Sequence, residues 1–202
     1  MHYAREFISH RLIRFLLLLW LVFGGNVLIS APLTMHTGAA WLSGIAVFLL
    51  IEYAAHRFIL HQFPRLAPAA YRGHVAHHQM PSDSRYLFGP AGYDLAGYAV
   101  LTLISWAVTW SWPLAAAVVS GALTCQLYYQ WMHFVSHRPI VPKTRWGKWM
   151  KRKHLLHHHL DEEAWYGVSN PMLDILLGTN ESKKLTEKQM ARSGSKTPDD
   201  PD

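Results

Sequence analysis

The sequence predicts an all-α membrane protein: four transmembrane helices in two hairpins, with a cytoplasmic helical cap. Three observations predict it. Two long stretches carry no Lys, Arg, Asp or Glu. Every Lys and Arg lies outside the tips of those stretches. Ten of the 14 histidines fall into four spaced groups just after the hairpins.

The first uncharged stretch runs from Phe15 to Ile51, 37 residues, and the second from Leu95 to Met132, 38 residues. About 20 apolar residues cross a bilayer, so each stretch is close to two spans with a tight connection. The first breaks around Ala31-Pro32-Leu33-Thr34. The second breaks around Trp110-Ser111-Trp112-Pro113, where proline suits the first turn of a new helix. The expected spans are 12–31, 39–60, 93–111 and 113–132. A buried pair of helices in a soluble bundle would keep charges on one face, and these stretches keep none. The first span starts basic, as a signal peptide does, but its apolar stretch is too long for one and no small-residue cleavage site follows.

The 19 basic residues then set the orientation. Arg5, Arg11 and Arg14 precede the first hairpin, Arg57, Arg65, Arg72 and Arg85 lie between the hairpins, and the rest run from Arg138 to Lys196. The positive-inside rule puts both termini and the central loop in the cytoplasm. The net charge of +6 is therefore membrane topology, with anionic headgroups as counter-charge, and not a nucleic-acid surface. Low charge content excludes a disordered chain, and one Cys excludes a disulfide scaffold. A single domain over 1–181 is expected, followed by a polar, disordered tail over 182–202. A basic helix over Lys143–Lys153 is expected to lie on the membrane, with Trp131, Trp146, Trp149 and Trp165 as interfacial anchors.

The histidines read as pair, triplet, pair, triplet: His56 and His61; His74, His77 and His78; His133 and His137; His154, His157 and His158. Both triplets have the i, i+3, i+4 spacing of one helix face, as has the pair His133/His137. His56 and His61, at i and i+5, converge only if the helix ends between them or if they reach different metals. His159 points away from its triplet, and His2, His10 and His36 stand alone. The topology brings the four groups to one membrane face. Ten imidazoles there would repel one another if charged and need partners if buried and neutral. Metal binding answers both demands. Ten ligands are too many for one ion and suit two, and an all-imidazole set suits iron, zinc, copper or nickel. A dispersed, spaced set is not a tag-like tract. A haem bundle would place His at mid-membrane. A metal carrier, the competing reading from another class, would need coordinating groups along the spans.

The order of these four groups resembles the fatty acid hydroxylase superfamily of integral membrane di-iron enzymes, with sterol desaturases as relatives. The likeness runs from about Glu52 to Thr179. It is strongest to the fatty acid 2-hydroxylase branch, through Gly73-His74-Val75-Ala76-His77-His78 with Pro81, Asp83 and Arg85, Lys148-Trp149-Met150-Lys151, and Tyr166-Gly167-Val168-Ser169-Asn170-Pro171 with Asp174 and Gly178-Thr179. Carotenoid hydroxylases of the same superfamily carry His-x4-His as their third group, where this chain has His-x3-His. The resemblance implies an oxidoreductase: a dimetal site of two Fe ions on the ten histidines, O2 as co-substrate, and hydroxylation of a lipid acyl chain drawn from the bilayer. Carotenoid or sterol hydroxylation, or desaturation, at the same site is the alternative. Zn is expected to replace Fe in some preparations. Many relatives carry a fused cytochrome b5 domain and this chain has no room for one, so a separate cytochrome b5- or ferredoxin-like donor is implied. The bacterial inner membrane is favoured over the endoplasmic reticulum. Carboxylates near the histidines should offset the metal charge and orient the rings. Glu52, Asp83, Asp161 and Asp174 are the candidates, with Asn170, while Glu162 and Glu163 share the Asp161 turn.

Overall fold

A computed structural model describes residues 2–30 and 33–182. The tail expected over 182–202 lies outside these, apart from Ser182. That residue is buried, and its hydroxyl donates to Asp161 Oδ2 at 2.6 Å.

The described elements are helical throughout: α1 (His2–Ser9), α2 (Arg11–Ser30), α3 (Met35–Ala54) continuing as a π-helix (Ala55–Gln62), α4 (Pro68–Gln79), α5 (Ala91–Thr109), α6 (Trp112–Ser136), α7 (Arg145–His159) and α8 (Met172–Leu176). Thr34 caps α3, its side chain accepting from the Thr37 backbone N–H. Between α5 and α6 the chain reverses through Trp110, which takes the left-handed φ of 48°. Pro113 then sits in the first turn of α6.

Among the described residues, three helices are long and apolar enough to cross a membrane: Arg11–Ser30, Met35–Gln62 and Ala91–Thr109. The expected fourth span corresponds to α6, at 25 residues also long enough, but it is the central helix of the bundle and not one of those three. Helices α2, α3, α5 and α7 all pack on it. Every residue from Ala115 to Leu123 is buried, and α6 carries Ser120, Gln126 and Gln130 inside the protein. Small residues make this possible. A Cβ on Gly44 of α3 would lie 1.9 Å from the Val118 carbonyl oxygen, and one on Gly121 would lie 2.0 Å from that of Trp41. The two backbones touch there, as in close helix pairs of membrane proteins. Leu12 and Leu16 of α2, Phe48 of α3 and Tyr98 of α5 complete the packing around Val119 and Leu123.

Near the C-terminal end of α6, α7 packs on it, with Gly147, Met150, His154 and His157 buried. Within the basic stretch expected to lie on the membrane, Lys151 turns to the protein. Its ammonium donates to the carbonyls of Val135, Arg138 and Ile140 at 2.7–2.9 Å, closing the C-terminal end of α6. Trp146 and Trp149 are exposed, as interfacial anchors would be. Trp165 is not, for it is 4% exposed and its indole donates to Asn180 O.

Candidate metal centre

The ten clustered histidines come together in two groups of five, each with its ring nitrogens within 4.8 Å of one another and able to hold a metal ion. His56, His61, His74, His78 and His157 form the first group. His77, His133, His137, His154 and His158 form the second. The pairs stay whole and the triplets divide. The π-helix supplies the first group alone and α6 the second alone, while α4 and α7 each contribute to both. The groups abut: the rings of His78 and His158, one from each, stack at 4.1 Å.

The π-helix explains a pair that α-helical spacing does not. The helix neither ends between His56 and His61 nor sends them to different groups. Its hydrogen bonds close from i to i+5, as from the N–H of Phe63 to the carbonyl of Phe58 at 2.7 Å. Residues five apart therefore stack along it, and both rings reach one group. His159, at the end of α7, is exposed and belongs to neither group. His10 is structural, accepting from the Leu12 N–H and packing on Phe88.

The ring nitrogens converge as ligands do. Nε2 of His74 lies 3.0 Å from Nε2 of His61 and 3.1 Å from that of His78. In the second group the His133–His77 and His137–His154 Nε2 separations are 2.9 and 2.8 Å. With metal–nitrogen bonds of about 2.1 Å, ligands at right angles sit about 3.0 Å apart and tetrahedral ones about 3.4 Å. The spacing is that of nitrogens able to share one ion. One Nε2 proton or lone pair cannot serve two such neighbours, whereas one ion serves all of them.

Two rings are oriented from outside. His56 Nδ1 donates to the Tyr166 carbonyl at 2.6 Å, and His157 Nδ1 to that of Ala164 at 2.7 Å. This fixes the tautomer that leaves each Nε2 bare, and both Nε2 atoms are buried without a hydrogen-bond partner. These orphaned, convergent nitrogens are what a resident metal would satisfy. Burial, then the neighbouring imidazoles, hold His74, His154 and His157 well below the ordinary imidazole pKa, with His78 lowered to about 4 and His137 to about 3. The rings are neutral at pH 7, the form that binds metal.

The loop that supplies the carbonyls is held by two of the candidate carboxylates. Asp174 accepts from the N–H groups of Tyr166 and Gly167 at 2.9 and 2.8 Å and from the Thr179 hydroxyl at 2.7 Å. Glu52 accepts from the N–H groups of Val168 and Ser169 at 2.7 and 2.9 Å and from the Ser169 hydroxyl. Their described bonds thus orient rings at one remove, through backbone. Asp83 instead forks onto exposed Arg85 at 2.6 Å, Asn170 accepts from the Met172 N–H in a local turn, and Asp161 accepts from Ser182. On the Asp161 turn it is Glu162 that faces a ring, 3.8 Å from His78 Nδ1. Sequence reasoning missed the Ala164 and Tyr166 carbonyls, which no side-chain motif reports. Between them Trp165, expected as an interfacial anchor, instead sits buried with a left-handed φ of 58°.

A cavity of about 550 Å³ opens against both groups, lined by His56 and His74 from the first and His77 and His133 from the second. Phe48, Ile51, Leu60, Leu87 and Phe88 are among its apolar walls.

Comparison with known proteins agrees with this geometry. The fatty acid hydroxylase family model matches residues 41–179. The chain is 30% identical over 152 residues to dihydroceramide fatty acyl 2-hydroxylase FAH1 of Arabidopsis thaliana, covering 72% of this chain and 62% of that one. It is 27% identical over 160 residues to human fatty acid 2-hydroxylase, covering 75% and 41%. A solved structure of full-length scs7p, with only its hydroxylase domain visible, superposes with a TM-score of 0.73 at 24% identity, over 85% of this chain and 66% of that one. The chain thus spans about three-fifths of the plant relative and less of the human one. Since the matched segment takes in all ten clustered histidines and the loop that orients them, the chain belongs to the fatty acid hydroxylase family.

Proposed function

We propose that the protein is an O2-dependent membrane hydroxylase acting on an unactivated C–H bond of a lipid acyl chain, with two iron ions held by the two histidine groups. The observation that carries this reading is the apolar-walled cavity bordered by histidines of both groups. Iron there would supply the two-electron chemistry with O2 that breaks such a bond. The chain's own residues do the rest. The carbonyls of Tyr166 and Ala164 hold the Nδ1 protons of His56 and His157, so those rings keep Nε2 free and stay in register. Phe48, Ile51, Leu87 and Phe88 give the acyl chain a dry wall and keep water from the reacting carbon. The names of the relatives, both 2-hydroxylases of fatty acyl chains, support carbon 2 of an acyl chain as the target.

Zinc satisfies the same imidazoles but does no redox chemistry, so a zinc-loaded sample binds lipid without turnover. Electrons come from a separate cytochrome b5- or ferredoxin-like protein. Both termini and the histidine site lie on the cytoplasmic side, in keeping with the distribution of Lys and Arg, and the bacterial inner membrane is the favoured location.

The test is isotopic. Iron-loaded protein in nanodiscs is supplied with a dihydroceramide, a reducing system and ¹⁸O2, and the lipid is read by mass spectrometry. The expected product is an acyl chain carrying one ¹⁸O. Unchanged lipid from iron-loaded, reduced protein would contradict the reading.

A further inference from the structure

A groove of about 520 Å³ runs along a flank of α7 outside its buried face. One wall is the 139–142 segment after α6, and the other is Lys148, Arg152, Leu155 and Leu156 of α7. Its rim is basic. From Pro139 to Leu160 the chain carries Lys143, Arg145, Lys148, Lys151, Arg152 and Lys153 and no Asp or Glu. Lys148 and Arg152 are exposed, and among the described residues neither is in an ion pair. Like charges at i and i+4 repel, and an anionic partner relieves that repulsion. The groove is also close to the histidines. Leu155 and Leu156 adjoin His154 and His157, which belong one to each group. Their separation from the groove is no more than one helix diameter, about 10–12 Å. This flank turns away from the bilayer. Trp146 and Leu155 are nine residues apart, and so about 180° apart around α7. Trp146 donates to the Tyr128 hydroxyl at 2.8 Å, and Tyr128 lies about 12 Å back along α6 from its end at Ser136. The tryptophan edge of α7 thus faces the spans, and the groove, walled by residues past the end of α6, faces the other way.

We propose that this groove docks the protein that supplies the electrons: a water-soluble one-electron carrier whose contact surface sets Asp and Glu around an apolar centre. The inference rests on the hydroxylase reading and adds the place of contact and its charge. Hydroxylation of one C–H bond joins one oxygen atom of O2 to carbon and releases the other as water, taking up two electrons and two protons. Each reduced carrier gives one electron and leaves oxidised, so two visits complete one turnover, and the protons come from solvent. Such visits must be short. Charge steering onto a small apolar contact suits them better than a large apolar interface.

The experiment reads binding, so it does not depend on turnover. Full-length, iron-reconstituted protein in phosphatidylcholine nanodiscs is titrated by calorimetry with two acidic probes, a cytochrome b5 haem domain and a two-iron ferredoxin. At least one is expected to bind, about tenfold more weakly at high salt than at low. The double variant Lys148→Glu, Arg152→Glu is expected to weaken that binding about tenfold or more. Arg65→Glu, a reversal at an exposed site outside the groove, is expected to change it less than about twofold. A second measurement separates a carrier from the membrane as occupant. Val141, 78% exposed, takes a fluorophore as Val141→Cys, since Cys125 is buried. Brominated lipid in the nanodisc is expected to leave this label bright. Binding of neither carrier overturns the proposal, as does an equal loss in Arg65→Glu, or strong quenching by brominated lipid, which would give the groove to the bilayer. Failure of the hydroxylase reading would show separately, as a carrier that binds as expected with no ¹⁸O in the lipid.

Discussion

Each histidine has a group assignment that single substitutions can test. His157→Ala removes a member of the first group and His158→Ala one of the second, while His159 is exposed and outside both. Metal analysis should show His157→Ala and His158→Ala each losing about half of the bound metal, and His159→Ala losing none. Gly167 makes a subtler test. A Cβ there would lie 2.1 Å from the Asn170 carbonyl and 2.8 Å from Asp174 Oδ2. Gly167→Ala should shift the loop that presents the Tyr166 carbonyl to His56. The expected result is metal loss weighted toward the first group, seen as one occupied site where the parent protein has two. That these ten histidines come together was legible in their spacing, because imidazoles at i, i+3 and i+4 share a face. The division of each triplet between groups was not legible, since it depends on how tertiary packing places α4 and α7. The ring-orienting carbonyls were not legible either, because any residue type can supply one.

At the scale of elements, the close contact of α3 with α6 is the feature most exposed to substitution. Gly44→Val sets a branched side chain against the Val118 backbone and should destabilise the fold by about 1–3 kcal/mol or more, as overpacking does. Gly24 lies in α2 with open space around its Cβ position, so Gly24→Ala should leave stability unchanged or raise it slightly. Thermal unfolding in detergent compares the two, and equal effects would contradict the close approach. The helices themselves were readable from uncharged length: spans expected over 12–31 and 93–111 correspond to Arg11–Ser30 and Ala91–Thr109. The π-helix was not readable. The i+5 spacing of His56 and His61 was its signal, but that spacing also fits a helix ending, and only the continuous helix from Met35 to Gln62 decides between them. The role of Lys151 was not readable either, since its ammonium meets carbonyls at and just beyond the end of α6 that any residue type can supply.

For the whole molecule, the account requires an even number of crossings before each histidine pair. A reporter fused after Asp202 or placed near Ser82 should be cytoplasmic, and one near Thr37 or Ser111 should be on the far side. A central loop and C-terminus on opposite faces would contradict it, since His74 of α4 and His157 of α7 share a group. The decisive quantity is the metal content of the intact, iron-reconstituted protein, read by elemental analysis against protein concentration. The account predicts two ions per chain. One ion per chain in protein with all ten histidines intact, or none after reconstitution, would contradict it.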